Sequence, residues 1–333
     1  MTPWSRLRHS LRQRHWAAAG YMFGWAALSR LPELGARVIA TVGADIASRR
    51  GRQPAQLRRN LERVLGSGQV SPSLMRASMR SYTRYWMEAF RLPRIASDPS
   101  LVRVLDESVE GYDHLLEPLA AGKGVILTLP HSGNWDMAGV LLVHRNGSFT
   151  TVAERLEPVE LYEAFVDYRT SLGFRVLPHR DARGHGPYEE LKNTLARGGV
   201  VCLLGERDLR ASGVEVEFFG EPALFPAGPA RLAMDTGASL HVVHSFYPDS
   251  SNWGLRVSEA LEVDDVQSTT QRIAEGFEAN IAAHPHDWHM LQPLWLADLD
   301  PHRLARGRAQ QQPHEADAAR PSGLDDAPRG EGS

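Results

Sequence analysis

The chain has 333 residues, 42% of them hydrophobic, with one cysteine and a formal net charge of −3. Such a length buries one large core or two modest ones. The lone Cys202, inside the apolar stretch VVCLLG, excludes an intrachain disulfide, so nothing in the composition asks for an oxidising compartment.

The small net charge conceals an asymmetry. Residues 1–94 hold 17 arginines and four acids, Glu33, Asp45, Glu62 and Glu88, a balance of +13 against −16 for the remainder. A basic region of this kind attracts nucleic acid or an anionic membrane surface. Trp16, Tyr21, Phe23 and Trp25, interleaved with alanine, leucine and valine, point to the membrane, because that mixture suits an amphipathic element lying in a lipid interface. Helices of this composition also pack on a core, and the two arrangements are compatible, with one face inward and a rim on lipid. The uncharged run Trp16–Ser29 has 14 residues, short of the roughly 20 needed to span a bilayer. A charged, proline-containing segment follows it where a cleaved signal peptide would show small residues.

Helical patterns fill residues 15–92. Among them are PAQLRRNLERVLG and SPSLMRASMRSYTRYWMEAFRLP, the second opening on Ser-Pro and closing at a proline. From residue 124 onward strands and helices alternate. GVILTL (124–129) is a short apolar run, NWDMAGVLLVHRN a helix, FTTVAE a strand, PVELYEAFVDYRTSLG a helix ending at glycine and FRVLPH a strand. Helix GPYEELKNTLARGG, strand VVCLLGE, helix AGPARLAMDTGA and strand SLHVVHSFY follow. The alternation predicts an α/β fold, a mainly parallel central sheet flanked by helices, with the helical, basic region at its N-terminal side. Residues 301–333, rich in glycine, proline, alanine and charge, predict a disordered tail. The expected organisation is one domain over residues 1–300, its membrane-associating part in 1–94, and the tail.

The stretch LTLPHSGNWD (127–136) sets His131 immediately after the end of a buried strand. In open parallel sheets ligands bind outside the carboxyl ends of the strands, so His131 is a candidate base there. VVCLLGERDL places Glu206 just beyond a second buried strand, and parallel pairing would bring both side chains to one edge. Asp136 is the rival partner. In one continuous helix, five steps of about 100° would set it roughly 140° from His131, so the pair works only if the histidine precedes the helix. Asn134 then caps the helix, and Asp136 in the first turn is favoured by the dipole; a structural and a catalytic role both stay open for it.

HPHDWH offers His284, His286 and His289, but a single helix does not bring those positions together and no cysteine is near, so no metal site is expected. The chain has no Gly-x-Ser-x-Gly elbow and no Walker or dinucleotide loop, which weighs against hydrolase, nucleotidase and dehydrogenase chemistry.

The His-x4-Asp of HSGNWD, followed in order by VAERLEP, FVDYRTSLGF, GERDL and VEVEFFGEPALFPAGPARLAMDTGASL, resembles the bacterial membrane acyltransferases that include the lipid A lauroyl and myristoyl transferases. GERDL and FPAGPA bring it nearest to their actinobacterial relatives, the phosphatidylinositol mannoside acyltransferases. RRNLERVL and YTRYWMEAFRLP also resemble the family, so the likeness runs over residues 10–298. It implies a glycerolipid-acyltransferase-like fold and transfer of a long-chain acyl group, palmitoyl by expectation, from acyl-CoA to a mannose hydroxyl of phosphatidylinositol mannoside. It further implies peripheral attachment at the cytoplasmic face of the inner membrane, no cofactor beyond the acyl-CoA substrate and no nucleic-acid partner.

In that chemistry His131 is the general base, Glu206 orients it, and backbone amides at the start of the 134–144 helix steady the oxyanion. Glu154 and Arg169 match polar positions of the family blocks or are plain surface charge, Arg207 and Asp208 adjoin Glu206, and Ser212 and Asp235 either hydrogen-bond acyl-CoA or serve structure alone. They are candidates for binding pantetheine, phosphates or acceptor, with Arg207 and Asp208 also able to hold Glu206 by an ion pair. Phe218, Phe219, Leu224 and Phe225 line an acyl tunnel or pack the core. Two further readings stand beside this one. The first is an acyltransferase for another glycolipid, or one using acyl carrier protein as donor. The second is a lipid-binding protein without turnover, against which the presence of both His131 and Glu206 argues.

Overall fold

The computed structural model describes residues 20, 24–154, 159–180, 186–208, 213–302 and 304–305. Trp16, Tyr21, Phe23, Ser212 and most of the expected tail therefore lie outside the described residues.

Helices come first, as the periodicity predicts. α1 (Glu33–Ala47), α2 (Ala55–Leu65), α3 (Pro72–Ile95) and α4 (Pro99–Glu107) lead into the sheet region. Ser71 caps α3 by accepting the Leu74 amide at 3.1 Å. The helix does not close at Pro93 but runs two residues further, because a proline in the last turn removes only one ladder bond there.

A short strand β1 (Val109–Glu110) and helix α5 (Leu116–Ala120) precede the central strand β2 (Val125–Leu129). Next come α6 (Trp135–Asn146), β3 (Thr150–Ala153), α7 (Val159–Ser171), β4 (Arg175–Pro178), α8 (Tyr188–Ala196) and β5 (Val200–Leu204). The hairpin β6 (Val214–Phe218) and β7 (Glu221–Phe225), α9 (Gly228–Thr236), β8 (Ser239–Phe246), β9 (Gly254–Val257) and α10 (Val266–Ala283) complete the set. The hairpin stands as a separate two-stranded sheet. Its turn residues Phe219 and Gly220 both have positive φ, +51° and +74°, the handedness that matches the twist of paired strands.

The main sheet has seven strands in the order β1-β9-β8-β2-β5-β3-β4, parallel except where β9 runs against β8. Its helices cover both faces, which explains why the β2 sequence VILTL is buried at every position. Side chains alternate between two cores. Ile126, Val201, Leu240 and Val242 enter the one shared with α2, α8, α9 and α10. Val125, Leu127, Leu129, Val200 and Val243 enter the other, against α3, α4, α6 and α7.

His244 on β8 is wholly buried, its ring 5.4 and 5.6 Å from those of Phe246 and His284, which stack on each other at 4.0 Å. Burial, helped by the positive charge of His284, lowers its pKa to about 3. In the unfolded chain the same ring titrates near about 6.5. Between those values the unfolded state holds the extra proton, so stability is lost as pH falls below about 6, at up to roughly 1.4 kcal/mol per pH unit. Thermal melts from pH 7 to 4.5 should show this loss, and His244→Phe should reduce it, leaving the part due to His289, whose pKa burial likewise lowers to about 3; an unchanged slope in that variant would exclude His244 as a source.

Candidate active site

β2 and β5 pair in parallel from Val125 with Val200 to Leu129 with Leu204. Continuing that register two residues past the strands sets His131 opposite Glu206. The contact is made: Glu206 Oε1 lies 2.8 Å from His131 Nδ1 and accepts the His131 backbone N–H at 2.5 Å. Glu206 has no solvent exposure, while the His131 side chain keeps 28% of its surface. Nδ1 therefore bears the proton shared with the carboxylate, and Nε2 is the nitrogen left to accept one.

Two glycines permit this approach. A Cβ on Gly205 would stand 2.1 Å from Thr128 Oγ1, so only glycine lets the two strand ends come this close. Gly133 has φ +57°, and its Cβ would meet the Ser245 carbonyl carbon at 2.4 Å.

Asp136 faces away from His131. Its buried carboxylate accepts from Tyr85 Oη at 3.0 Å and from Arg169 Nε at 2.9 Å. Burial opposes the Arg169 charge, but the adjoining Asp136 outweighs it and raises the guanidinium pKa above its ordinary value. Burial and the same carboxylate raise Tyr85 well above the usual phenol range. Asn134 is the helix cap, accepting the Met137 amide at 3.0 Å, and its own Nδ2 donates to Glu88 at 2.8 Å. Glu88 also accepts from Arg84, Tyr247 and Trp253.

α3 thus sends polar side chains to the start of α6 from one face, Tyr85 to Asp136 and Glu88 to Asn134. Neither residue was singled out by sequence. Their signal was a polar pair at i, i+3 inside the apolar stripe of a long helix.

His131 opens onto a cleft of about 700 Å³ at the carboxyl ends of β3 and β5, bordered also by Glu154, Tyr188, Arg207, Arg231 and Asp235. Arg207 reaches across to Glu154 at 3.3 Å, and Asp208 accepts the Gly213 amide at 2.7 Å. Glu206 is held through Oε1 by the backbone N–H and ring of His131. Asp235 accepts from Tyr188 Oη at 3.0 Å at the far wall. Glu154, Arg207, Asp208 and Asp235 therefore share the cleft with His131, whereas Arg169 is turned to Asp136.

Phe218 and Phe225 are completely buried and pack with Trp295, Trp288 and Phe277; none of the four residues considered for an acyl tunnel borders the cleft. An apolar chamber of about 80 Å³, bordered by Leu129, Trp135, Leu142, Phe174 and Leu204, adjoins the cleft, sharing Val152, Leu203 and Leu204 with it.

At the start of α6, Asn134 N–H donates to Ser245 Oγ at 2.9 Å and Met137 N–H to its cap. The amides of Trp135 and Asp136 carry no such bond among the described residues, so these are the donors the helix start can still offer. His284 stacks on Phe246, His286 lies beside Asp287 at 3.6 Å and His289 bonds Ser81. Among the described residues no group of three or more histidine, cysteine or acidic side chains is placed to hold a metal ion.

The family model described as bacterial lipid A biosynthesis acyltransferase matches residues 5–297. A Mycobacterium tuberculosis protein named phosphatidylinositol mannoside acyltransferase is 52% identical over 294 residues, covering 87% of this chain and 92% of its own. A Mycolicibacterium smegmatis protein of the same name is 51% identical over 291 residues, covering 86% and 94%.

Proposed function

The chain belongs to the bacterial lipid A biosynthesis acyltransferase family, and we propose that it transfers a long-chain fatty acyl group, palmitoyl, from acyl-CoA to a mannose hydroxyl of phosphatidylinositol mannoside. The observation that carries this reading is the His131–Glu206 pair, its free nitrogen facing an open cleft. A sugar hydroxyl is a poor nucleophile at neutral pH. With His131 Nε2 taking its proton, the alkoxide oxygen attacks the thioester carbonyl, and buried Glu206 favours the imidazolium that results. The tetrahedral intermediate places its negative oxygen near the amides of Trp135 and Asp136. Its collapse breaks the C–S bond, forms the ester and releases CoA, which takes the proton back from His131. No covalent acyl-enzyme is required. The charged wall of Glu154, Arg207, Asp208 and Asp235 suits the polar parts of donor and acceptor.

Purified protein supplied with phosphatidylinositol mannoside and isotope-labelled palmitoyl-CoA or palmitoyl-acyl carrier protein separates the donors by mass spectrometry. The expected product is the glycolipid heavier by one palmitoyl, made from the CoA donor. Transfer only from the carrier protein, or only to another glycolipid, would redirect the assignment.

The proposed place of work is an anionic membrane surface at the cytoplasmic face, held peripherally. No helix among the described residues is long and apolar enough to cross a membrane. α1 exposes Leu34, Val38, Ile39, Val42 and Ile46 within one arc of its surface, and Val42 and Ile46 adjoin Arg49, Arg50 and Arg76. Arginines near an anionic surface contribute on the order of 1 kcal/mol each within a Debye length, which is about 10 Å at 0.1 M salt and shrinks to about 3 Å at 1 M. Vesicles containing phosphatidylinositol should therefore bind the protein at low salt and release it partly at about 1 M. Val42→Asp combined with Ile46→Asp should weaken binding at least about tenfold, since burying one such side chain contributes roughly 1.5–3 kcal/mol. Unchanged sedimentation of that variant would remove α1 from the interface.

A further inference from the structure

The segment after α10, residues 284–289, lies across the loop that carries His131. Trp288 bridges Ser132 in antiparallel fashion. Gly133 N–H donates to the Asp287 carbonyl at 2.9 Å, Ser132 Oγ donates to the same oxygen at 3.2 Å, and His289 N–H donates to the His131 carbonyl at 2.7 Å. The peptide groups of His131 are thus gripped from both sides, the N–H by Glu206 and the C=O by His289.

The side chains behind this strap are buried and joined. Asp287, with no exposure, accepts from Ser81 Oγ at 2.7 Å and from the Tyr247 amide at 2.8 Å. A serine hydroxyl has one proton, and an ionised carboxylate can only accept, so Ser81 spends its proton on Asp287. At 2.9 Å from His289 Nε2, Ser81 must then be the acceptor, which makes His289 the Nε2–H tautomer. Burial, reinforced by the positive charges of His131 and His286, lowers the His289 pKa to about 3, so no second cation builds up beside the base. Ser81 lies one helical turn before Tyr85 on α3, and it extends that helix's hold on the loop to the strap.

We propose that Ser81, Asp287 and His289 are positioning residues, which fix where the His131 imidazole stands by holding its backbone; the proposal rests on His131 being the base. None of the three borders the cleft, so each acts through His131 rather than on substrate. A misplacement of about 1 Å in such a group costs on the order of 10²-fold in rate.

The test is Ser81→Ala, which removes the hydroxyl joining Asp287 to His289. The expected result is a kcat lower by about 10- to 100-fold with KM for acyl-CoA within about twofold. The ring-nitrogen resonances of His131, read by 1H–15N spectroscopy without substrate, should shift. His289→Gln, which keeps a side-chain N–H near Nε2, should recover most of the kcat that His289→Ala loses, and this pair decides the matter if Ser81→Ala does not fold. Unchanged His131 resonances together with a kcat per folded molecule equal to the parent's would overturn the proposal. Full turnover in His131→Ala would instead sink the base assignment, while the resonances still report whether the strap positions the ring.

Discussion

His131→Ala is expected to lower acyl transfer by roughly 10²–10⁴-fold, the scale on which a positioned general base contributes. The protein should remain folded. His131 is partly exposed at a strand end, and its side chain bonds only Glu206 among the described residues. Donor binding should change little, because the imidazole meets the acceptor hydroxyl rather than the body of CoA. The loss should therefore fall on kcat, with Tm near that of the parent. Transfer within a few-fold of normal would mean that the acceptor hydroxyl is deprotonated elsewhere.

The second large effect separates the two carboxylates by what each one holds. Asp136 neutralises the partly buried Arg169 and accepts from the buried Tyr85. Asp136→Asn leaves a mostly buried guanidinium, its side chain 17% exposed, uncompensated, and the cost should lie near the lower end of the about 3–5 kcal/mol for breaking a fully buried pair. That exceeds the roughly 0.3–1 kcal/mol of a helix-dipole contribution alone, which was all that a first-turn position suggested. Glu206→Gln should behave in the opposite way. The amide oxygen can still accept from His131, but the charge that favours the imidazolium is gone, so turnover should fall by about 10²-fold or more. Its folded state loses only a buried charge whose second oxygen, Oε2, has no hydrogen-bond partner, so Tm should hold. Denaturation and initial-rate measurements on both variants decide the matter. A stable, inactive Asp136→Asn beside an active Glu206→Gln would reverse the roles.

The sequence made His131 and Glu206 visible because each follows a short, wholly apolar run, and such runs in alternation with helices announce a parallel sheet. Their contact depended on the β2–β5 register, which no local pattern encodes. The surroundings of Asp136 were hidden for a related reason: its partners stand 51 and 33 residues away, on α3 and α7. Tyr85 and Glu88 carry a local signal, since polar groups inside a helix's apolar stripe must find buried partners, but which partners they meet is set by tertiary contacts. The hairpin β6–β7 has its local signal in the alternation of VEVEF, which continues as strand β6. HPHDWH was weighed as a metal site and set aside; as a strap it depends on tertiary contacts with Ser132 and Ser81 that spacing along the chain does not show.

Direct attack by the sugar hydroxyl, with His131 as base and no acyl-enzyme, is tested by intact-protein mass spectrometry during turnover. Protein incubated with palmitoyl-CoA alone should keep its mass, and CoA should appear in step with acylated glycolipid only after phosphatidylinositol mannoside is added. A palmitoyl adduct that forms on the protein first and then passes to the glycolipid would contradict the mechanism.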